Sequence, residues 1–365
     1  YPSANIISLN HTSVVFTLPP GVGNNHAIVV SVAGQESNTL FYDYYEMTIT
    51  AMTPTTAPTN ALLNGNPIVL TITGSNFGPS GHRVEIGAFT CPVIAGSHTE
   101  VTCTVPVGIG VNIVRLFNMD NAVVQRSSFS YNPPTITEFH PQSMPTTGGI
   151  MTITGENFYI SASITVGSAL CSPVDASGND LNPAVDQTSA HTIAYCRVPP
   201  GDGNGYAVKL SASSYSTVAA STFDFQSPTL DSISPSVGPT IGGQLVTISG
   251  TNFGLTPQAF INSQRCTNAG TVDHTTIVCR TNVGQGTGYS VVVNVGSEEA
   301  TNAAVTYSYS RPSITGMTPI TASTAGNVVL TFSGANFGTS GSVKVGTYTC
   351  VPTGTAFNHT HVTCL

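Results

Sequence analysis

Short runs of apolar and β-branched residues cover most of the chain. A representative run, Leu245-Val-Thr-Ile-Ser249, follows a Gly-Gly pair and ends at Gly250. Similar runs rich in Val, Ile, Thr and Tyr are broken about every 8 to 12 residues by Gly, Pro, Asn or Asp, and no segment keeps a helical period. This pattern predicts an all-β fold made of sandwiches.

The same run belongs to a longer motif that occurs four times. In each copy a strand with the pattern Thr-Ile-x-Gly or Thr-Phe-x-Gly is followed by an Asn-Phe turn. The four phenylalanines lie 81, 95 and 84 residues apart, at Phe77, Phe158, Phe253 and Phe337. Although 365 residues suggest two or three domains, a repeat step of this size predicts about four small domains in tandem.

Proline marks the borders between the repeats, in Tyr131-Asn-Pro-Pro134, Phe225-Gln-Ser-Pro228 and Tyr309-Ser-Arg-Pro312. The predicted divisions are residues 1–46, 47–134, 135–228, 229–312 and 313–365. We interpret the first as the C-terminal half of a repeat and the last as an N-terminal half. Because proline disfavours helix and stiffens the chain, we expect short joints, touching domains and a semi-rigid rod.

Composition and charge argue against some classes of function. Charged residues make up 7% of the chain and the net charge is −8, with nine Lys and Arg. A basic stripe for nucleic acid is therefore absent from the sequence. No apolar run reaches the length of about 18 residues needed to span a membrane, and Tyr1 does not begin a signal peptide, so we expect a processed chain or part of a longer one.

The composite motif resembles the IPT/TIG family of immunoglobulin-like domains. Its elements are an early proline, a Gly-Gly pair, the strand and Asn-Phe turn, and a later Cys before Pro-x-Gly. Two departures are Leu62-Leu-Asn-Gly-Asn-Pro67 in place of the Gly-Gly pair, and Phe16 where the other units have a cysteine. The resemblance implies early-set immunoglobulin-like sandwiches, and it brings no catalytic residues, because the family has no common ones.

Eight cysteines fall two to a repeat, and we predict disulfides within each repeat: Cys91 with Cys103, Cys171 with Cys196, Cys266 with Cys279, and Cys350 with Cys364. Each would stabilise its domain by on the order of 3 kcal/mol. Zinc is the alternative, since a histidine stands five residues before each second cysteine (His98, His191, His274 and His359). The spacing is not that of a zinc finger, and His11 has the same position without a cysteine, so we assign these histidines to a turn and expect no metal.

Two loop types raise further alternatives. Glycine clusters such as Gly201-Asp-Gly203 and Gly284-Gln-Gly286 could hold phosphate, but no helix follows them, so we predict strand-connecting loops. The excursion between Cys171 and Cys196 contains Asp175, Asp180 and Asp186, which could hold Ca²⁺. It lacks EF-hand spacing, and we favour a plain surface insertion.

Two sequons, Asn10-His-Thr12 and Asn358-His-Thr360, stand at equivalent positions of the two half-repeats. Equivalent placement on a predicted surface turn favours N-glycosylation at Asn10 and Asn358 in a secreted chain.

No recurring pair of carboxylates and no Gly-x-Ser-x-Gly elbow is present in the sequence, which argues against an enzyme and against a cofactor. We weigh two functions. The first is a non-enzymatic extracellular structural protein, a segment of a rod or fibre. Its end halves would complete each other head-to-tail between molecules. The second is an adhesion or receptor ectodomain that binds a protein or glycan. Localisation is expected to be extracellular or at the cell surface.

Within the repeated motif, Phe253 is expected to plug one end of its sandwich. Gly250 and Gly254 are expected to supply backbone freedom at the turn.

Overall fold

The computed structural model describes residues 5–159, 162–181 and 191–365. Strands are the regular secondary structure of the described chain, and these residues contain no helix. The all-β prediction is confirmed. Four successive groups of strands each enclose their own apolar core, and a smaller unit precedes them.

The N-terminal unit, residues 5–46, is built from three antiparallel pairs. Its strands are Asn5–Leu9 with Val14–Thr17, His26–Ile28 with Leu40–Tyr42, and Ser31–Val32 with Gln35–Glu36. Most side chains of this unit are exposed, whereas Val22 is buried.

The first domain has two packed sheets. One contains, in spatial order, Val93–Gly96, Glu100–Thr104, Val69–Ser75 and Thr48–Thr53. The other contains Phe89–Cys91, Arg83–Ile86, Val111–Phe117, Val123–Tyr131 and Thr56–Ala57. Leu62–Leu63 and Asn66–Pro67 form a hairpin whose turn residues, Asn64 and Gly65, both have positive φ, as a tight two-residue turn requires.

The third domain repeats this arrangement. Its four-stranded sheet contains Thr229–Ser234, Leu245–Thr251, Thr276–Arg280 and Thr267–Val272. Its five-stranded sheet contains Val237–Gly238, Glu298–Tyr309, Tyr289–Val295, Gln258–Ile261 and Gln264–Arg265.

The second domain joins its two sheets into one run of eight strands. Ala169–Val174 pairs with a strand of each sheet and so connects them. The order is Thr135–His140, Gly149–Glu156, Ile193–Val198, Ala169–Val174, Ser163–Val166, Tyr206–Ala212, Tyr215–Phe225 and Ser143–Met144.

The fourth domain contains a four-stranded sheet, Ser313–Thr318, Leu330–Ala335, His361–Cys364 and Pro352–Phe357, and a two-stranded sheet, Val343–Val345 with Tyr348–Cys350. Its buried core is small: Phe332, Cys350, Val362 and Cys364.

The repeated phenylalanine is a core residue, since Phe77, Phe158 and Phe253 are at most 1% exposed. The prediction that Gly250 supplies backbone freedom was wrong, because this glycine is needed for a different reason. A Cβ on Gly250 would lie 2.0 Å from the Thr229 carbonyl oxygen and 2.5 Å from the Phe253 ring, so this glycine is required for space. Gly254, by contrast, has a φ of +65° and supplies the expected left-handed backbone.

Candidate functional site

Consecutive domains meet through a repeated set of hydrogen bonds, which we call the latch. On one side stands a threonine that follows a proline near the start of each repeat, in Pro58-Thr59, Pro145-Thr146 and Pro239-Thr240. In the first domain this residue is Thr59, which is 1% exposed. Its carbonyl accepts a hydrogen bond from the Gly108 amide (3.0 Å), which fixes the turn within its own domain.

The other side of the latch comes from the next domain. Thr59 Oγ1 donates to the Phe158 carbonyl (2.9 Å) and lies 2.8 Å from Nδ1 of His191. Since the hydroxyl proton is given to Phe158, Nδ1 of His191 donates to the oxygen, which assigns the tautomer of the ring. The Thr59 amide also donates to Oδ1 of Asn157 at 3.4 Å.

The latch recurs at the next two joints. The Thr146 amide donates to Asn252 Oδ1 (3.3 Å), and Thr146 Oγ1 lies 2.8 Å from His274 Nδ1. The Thr240 amide donates to Asn336 Oδ1 (3.2 Å), and Thr240 Oγ1 lies 2.9 Å from His359 Nδ1. All three threonines are buried.

Local structure aims the asparagine and histidine at the preceding domain. Asn157 has a φ of 58°, and the equivalent asparagines also adopt this left-handed conformation, which asparagine tolerates. The Phe158 amide donates to the His191 carbonyl (3.0 Å), which ties the Asn-Phe turn to the histidine turn. The same bond joins Phe77 to His98, Phe253 to His274, and Phe337 to His359.

The histidines therefore lie in turns, as predicted, but sequence reasoning missed their contact with the neighbouring domain. The available signal was the constant spacing of histidine before cysteine, together with the recurring Pro-Thr pair before it.

A second contact uses the Gly-x-Gly loops, whose middle residue we call the wedge. Val22 of the N-terminal unit lies against Gly78, where a Cβ would be 2.5 Å from its Cγ1. Ile109 of the first domain packs against the core of the second. Gln285 of the third domain bonds Thr339 and Ser340 of the fourth: Oε1 accepts from the Thr339 amide (2.8 Å), and Nε2 donates to Ser340 Oγ (2.8 Å).

The first glycine of each loop is needed for close packing inside its own domain. A Cβ on Gly108 would lie 2.4 Å from the Tyr131 ring, and the Tyr131 hydroxyl donates to the Pro106 carbonyl at 2.7 Å. Burial raises the pKa of the Tyr131 phenol, which keeps it a neutral donor. These loops connect strands as predicted, and they are also the surface offered to the next domain.

In the latch between the first and second domains the histidine is buried, whereas His274 and His359 of the other two latches are half-buried. His191 is 9% exposed. Burial lowers its pKa from the usual 6.5, because a buried imidazolium loses its hydration. Burial therefore favours the neutral form of the ring, which still donates from Nδ1 to Thr59.

The structure joins the eight cysteines as four disulfides, each inside one domain: Cys91–Cys103, Cys171–Cys196, Cys266–Cys279 and Cys350–Cys364. The sulfurs that zinc would need are thus in covalent bonds with each other. Within the described residues no group of three or more His, Cys, Asp or Glu side chains is placed to hold a metal ion. Disulfides of this kind persist in oxidising, extracellular surroundings.

The loop considered for calcium uses its carboxylate locally. Oδ1 of Asp175 accepts from the Ser177 and Asn179 amides, and Oδ2 accepts from Nδ2 of Asn179. These hydrogen bonds, the one from the Asn179 side chain first, lower the pKa of Asp175. Asp180 is exposed and Asp186 lies outside the described residues.

Asn10 and Asn358 lie on exposed turns that begin just before the histidine position.

Among the described residues, no helix has the length and apolar character that spanning a membrane requires.

Comparison with known proteins agrees with this architecture. A family model described as the IPT/TIG domain matches residues 47–131, 134–225, 228–309 and 312–365. Fibrocystin-L of Homo sapiens is 29% identical over 349 residues, which is 90% of this chain and 8% of that protein. Plexin-B3 of Homo sapiens is 30% identical over 156 residues, 40% of this chain and 8% of that protein. The chain thus spans less than a tenth of the length of these relatives.

Among solved structures, the plexin A4 full extracellular region matches 87% of this chain and 34% of its own, with 17% identity. The TM-score of this match is 0.27. The relatives and the disulfides place the chain outside the cell or at its surface. With four matches that together cover most of its length, the chain belongs to the IPT/TIG domain family.

Proposed function

We propose that the chain is a non-enzymatic ectodomain segment of a surface protein of receptor or adhesion type, in which IPT/TIG domains form a stiff rod. The observation that carries the proposal is the latch, which joins Thr59 to His191 and recurs at the next two joints. A stiff rod holds a recognition surface at a fixed distance and direction from the rest of the protein.

Stiffness needs such a device because domains joined by a linker move relative to one another by default. Each latch adds hydrogen bonds at a buried point, and leaving a buried donor unpaired costs about 1–3 kcal/mol. The wedge contacts the next domain at another point of the same joint. Two separated contacts resist both bending and twisting, whereas one contact would leave a pivot.

Small-angle X-ray scattering on the full chain tests the rod. We expect one narrow distribution of maximum dimensions for the native protein. The triple variant T59A/T146A/T240A should broaden that distribution and increase compact conformations. The control T59S/T146S/T240S keeps every hydroxyl and should scatter like the native chain. Identical profiles for the alanine variant, with its domains still folded by circular dichroism, would contradict the proposed role of the latch.

For partners, we propose binding of a cell-surface protein in preference to a self-assembled filament. The similarity to fibrocystin-L and the plexins supports an ectodomain. Light scattering coupled to size exclusion separates the two ideas. We expect a monomer over a wide range of concentrations, and growth into head-to-tail oligomers would favour the filament.

A further inference from the structure

The turn that precedes the histidine uses one side-chain oxygen as its centre. In the N-terminal unit, Oδ1 of Asn10 accepts from the Thr12 amide (2.9 Å) and the Ser13 amide (2.8 Å). In the fourth domain, Oδ1 of Asn358 accepts from the Thr360 amide (3.0 Å) and the His361 amide (2.8 Å). The two turns have the same geometry, a hydrogen-bonded asparagine turn.

In two other domains a serine or an aspartate replaces the asparagine at the centre of the same turn. Ser97 Oγ accepts from the Thr99 and Glu100 amides, at 3.3 and 3.1 Å. Asp273 Oδ1 accepts from the Thr275 and Thr276 amides, both at 2.8 Å. Hydroxyl, carboxylate and amide oxygens therefore serve equally, and the fold places no demand on the nitrogen of Asn10 or Asn358.

That nitrogen is available for chemistry. Both asparagines are exposed, and among the described side chains neither Nδ2 makes a hydrogen bond. Thr12 and Thr360 complete the Asn-x-Thr pattern of an acceptor, with Thr360 Oγ1 within 3.2 Å of Asn358 Oδ1. The extracellular location supplies the secretory route on which such acceptors are modified.

The site at Asn358 stands next to a latch, because its neighbour His359 contacts Thr240 of the preceding domain. A substituent on Asn358 would therefore lie at the rim of the joint and leave the latch intact, since the latch uses the following residue.

We propose that Asn10 and Asn358 carry N-linked oligosaccharides, so that the glycan on Asn358 lies beside the joint between the third and fourth domains. The donor is a lipid-diphosphate-linked oligosaccharide. Nδ2 forms a bond to the anomeric carbon, the bond from that carbon to the diphosphate oxygen breaks, the lipid diphosphate leaves, and one amide proton passes to a base of the transferase. No oxidation or reduction occurs.

The test is secretion of the full chain from mammalian cells, followed by intact-mass measurement before and after peptide-N-glycosidase. We expect two releasable glycans, and peptide mapping should find each released asparagine converted to aspartate at positions 10 and 358. A secreted, disulfide-bonded chain whose mass the glycosidase does not change would overturn the proposal.

Matched variants separate the acceptor from the turn. N358D retains the oxygen, as Asp273 does naturally, and should remove one glycan without changing the thermal unfolding of the deglycosylated protein. T360A should also remove that glycan, and a glycan that persists in both variants would overturn the assignment to Asn358.

A gain-of-site variant tests the role of the turn itself. S97N converts the exposed turn at His98 and Thr99 into the same acceptor pattern and should add a third glycan. Absence of that glycan in a folded, secreted S97N chain would contradict the claim that this turn presents the acceptor.

Discussion

The joint between the first and second domains and the joint between the third and fourth share a latch but differ in their wedge. In the former, the half-buried Ile109 packs against the apolar core of the next domain. In the latter, Gln285 exchanges hydrogen bonds with the backbone and side chain of Ser340 and with the Thr339 amide. The latches match closely, with Thr Oγ1 2.8 and 2.9 Å from His Nδ1.

This difference separates what every joint needs from what each joint can vary. The latch is polar, directional and constant, so it sets which faces of two domains meet. The wedge contacts a turn that tolerates an apolar or a polar partner, so it adjusts how strongly a given joint is held. We expect the joint with Ile109 and the buried His191 to be the tighter of the two.

The largest effect is expected from removing the phenylalanine beneath each latch. F158A deletes a side chain that is 1% exposed and should lower the free energy of unfolding of the second domain by about 3–5 kcal/mol. F337A, whose ring is half-buried, should cost less. Chemical denaturation of both variants measures the difference. Equal losses would remove the distinction in packing between the two joints.

Next in size is the loss of the latch hydroxyl. T59A leaves Nδ1 of His191 without its acceptor in a buried site and should cost about 1–3 kcal/mol. T240A should cost less, because His359 is only half-buried. Hydrogen exchange at the amides of residues 59 and 240, which donate across the joints to Asn157 and Asn336, reports each opening separately. T59S serves as the control and should exchange like the native chain.

Shortening the wedge side chains should weaken the two joints by different amounts. I109A removes a half-buried apolar side chain and should weaken its joint by about 1–2 kcal/mol. Q285A removes hydrogen bonds to two exposed residues, Thr339 and Ser340. This substitution should weaken its joint by about 0.5–1.5 kcal/mol. Limited proteolysis at the linkers, compared between the two variants, ranks the joints. A Q285A chain that is cleaved faster than I109A would reverse the expected order.

The smallest effect is the pH dependence of the first latch. Burial lowers the pKa of His191 below its usual 6.5, so the unfolded chain binds the proton more readily than the folded one. The stability that the neutral His191 contributes to the folded chain is complete above pH 6.5 and is lost progressively as the pH falls below that value. Thermal unfolding measured across this range should show it. H191N keeps a side-chain donor and should flatten the curve, and an unchanged slope would assign the titration elsewhere.

Much of the fold could be predicted from sequence because its signals are local. The run Leu245-Val-Thr-Ile-Ser249 indicates a strand by its own composition, and Cys266 and Cys279 are close enough in the chain to suggest their pairing. The family motif added the sandwich, since Asn252 and Phe253 follow that strand at a fixed distance.

The joints could not be predicted in the same way because their contacts connect distant residues. Thr59 and His191 are separated by 132 positions, and nothing between them in the sequence indicates that they meet. The spacing of His191 before Cys196 suggested a turn or a metal ligand, since both explanations concern one domain. The purpose of Gly250 was misjudged for a similar reason: the obstacle to a side chain there is the Thr229 carbonyl on a neighbouring strand.

The asparagine of the Asn-Phe turn in the third domain uses both ends of its amide. Asn252 Oδ1 accepts from Thr146 of the preceding domain, while its Nδ2 donates to the Ser227 carbonyl in the linker, 3.2 Å away. The second and third domains thus each bring a threonine for their successor and an asparagine for their predecessor. Such a head-to-tail contact has no built-in limit on the number of units. A gene encoding these domains could gain or lose one whole repeat by recombination, and the new neighbours would already fit.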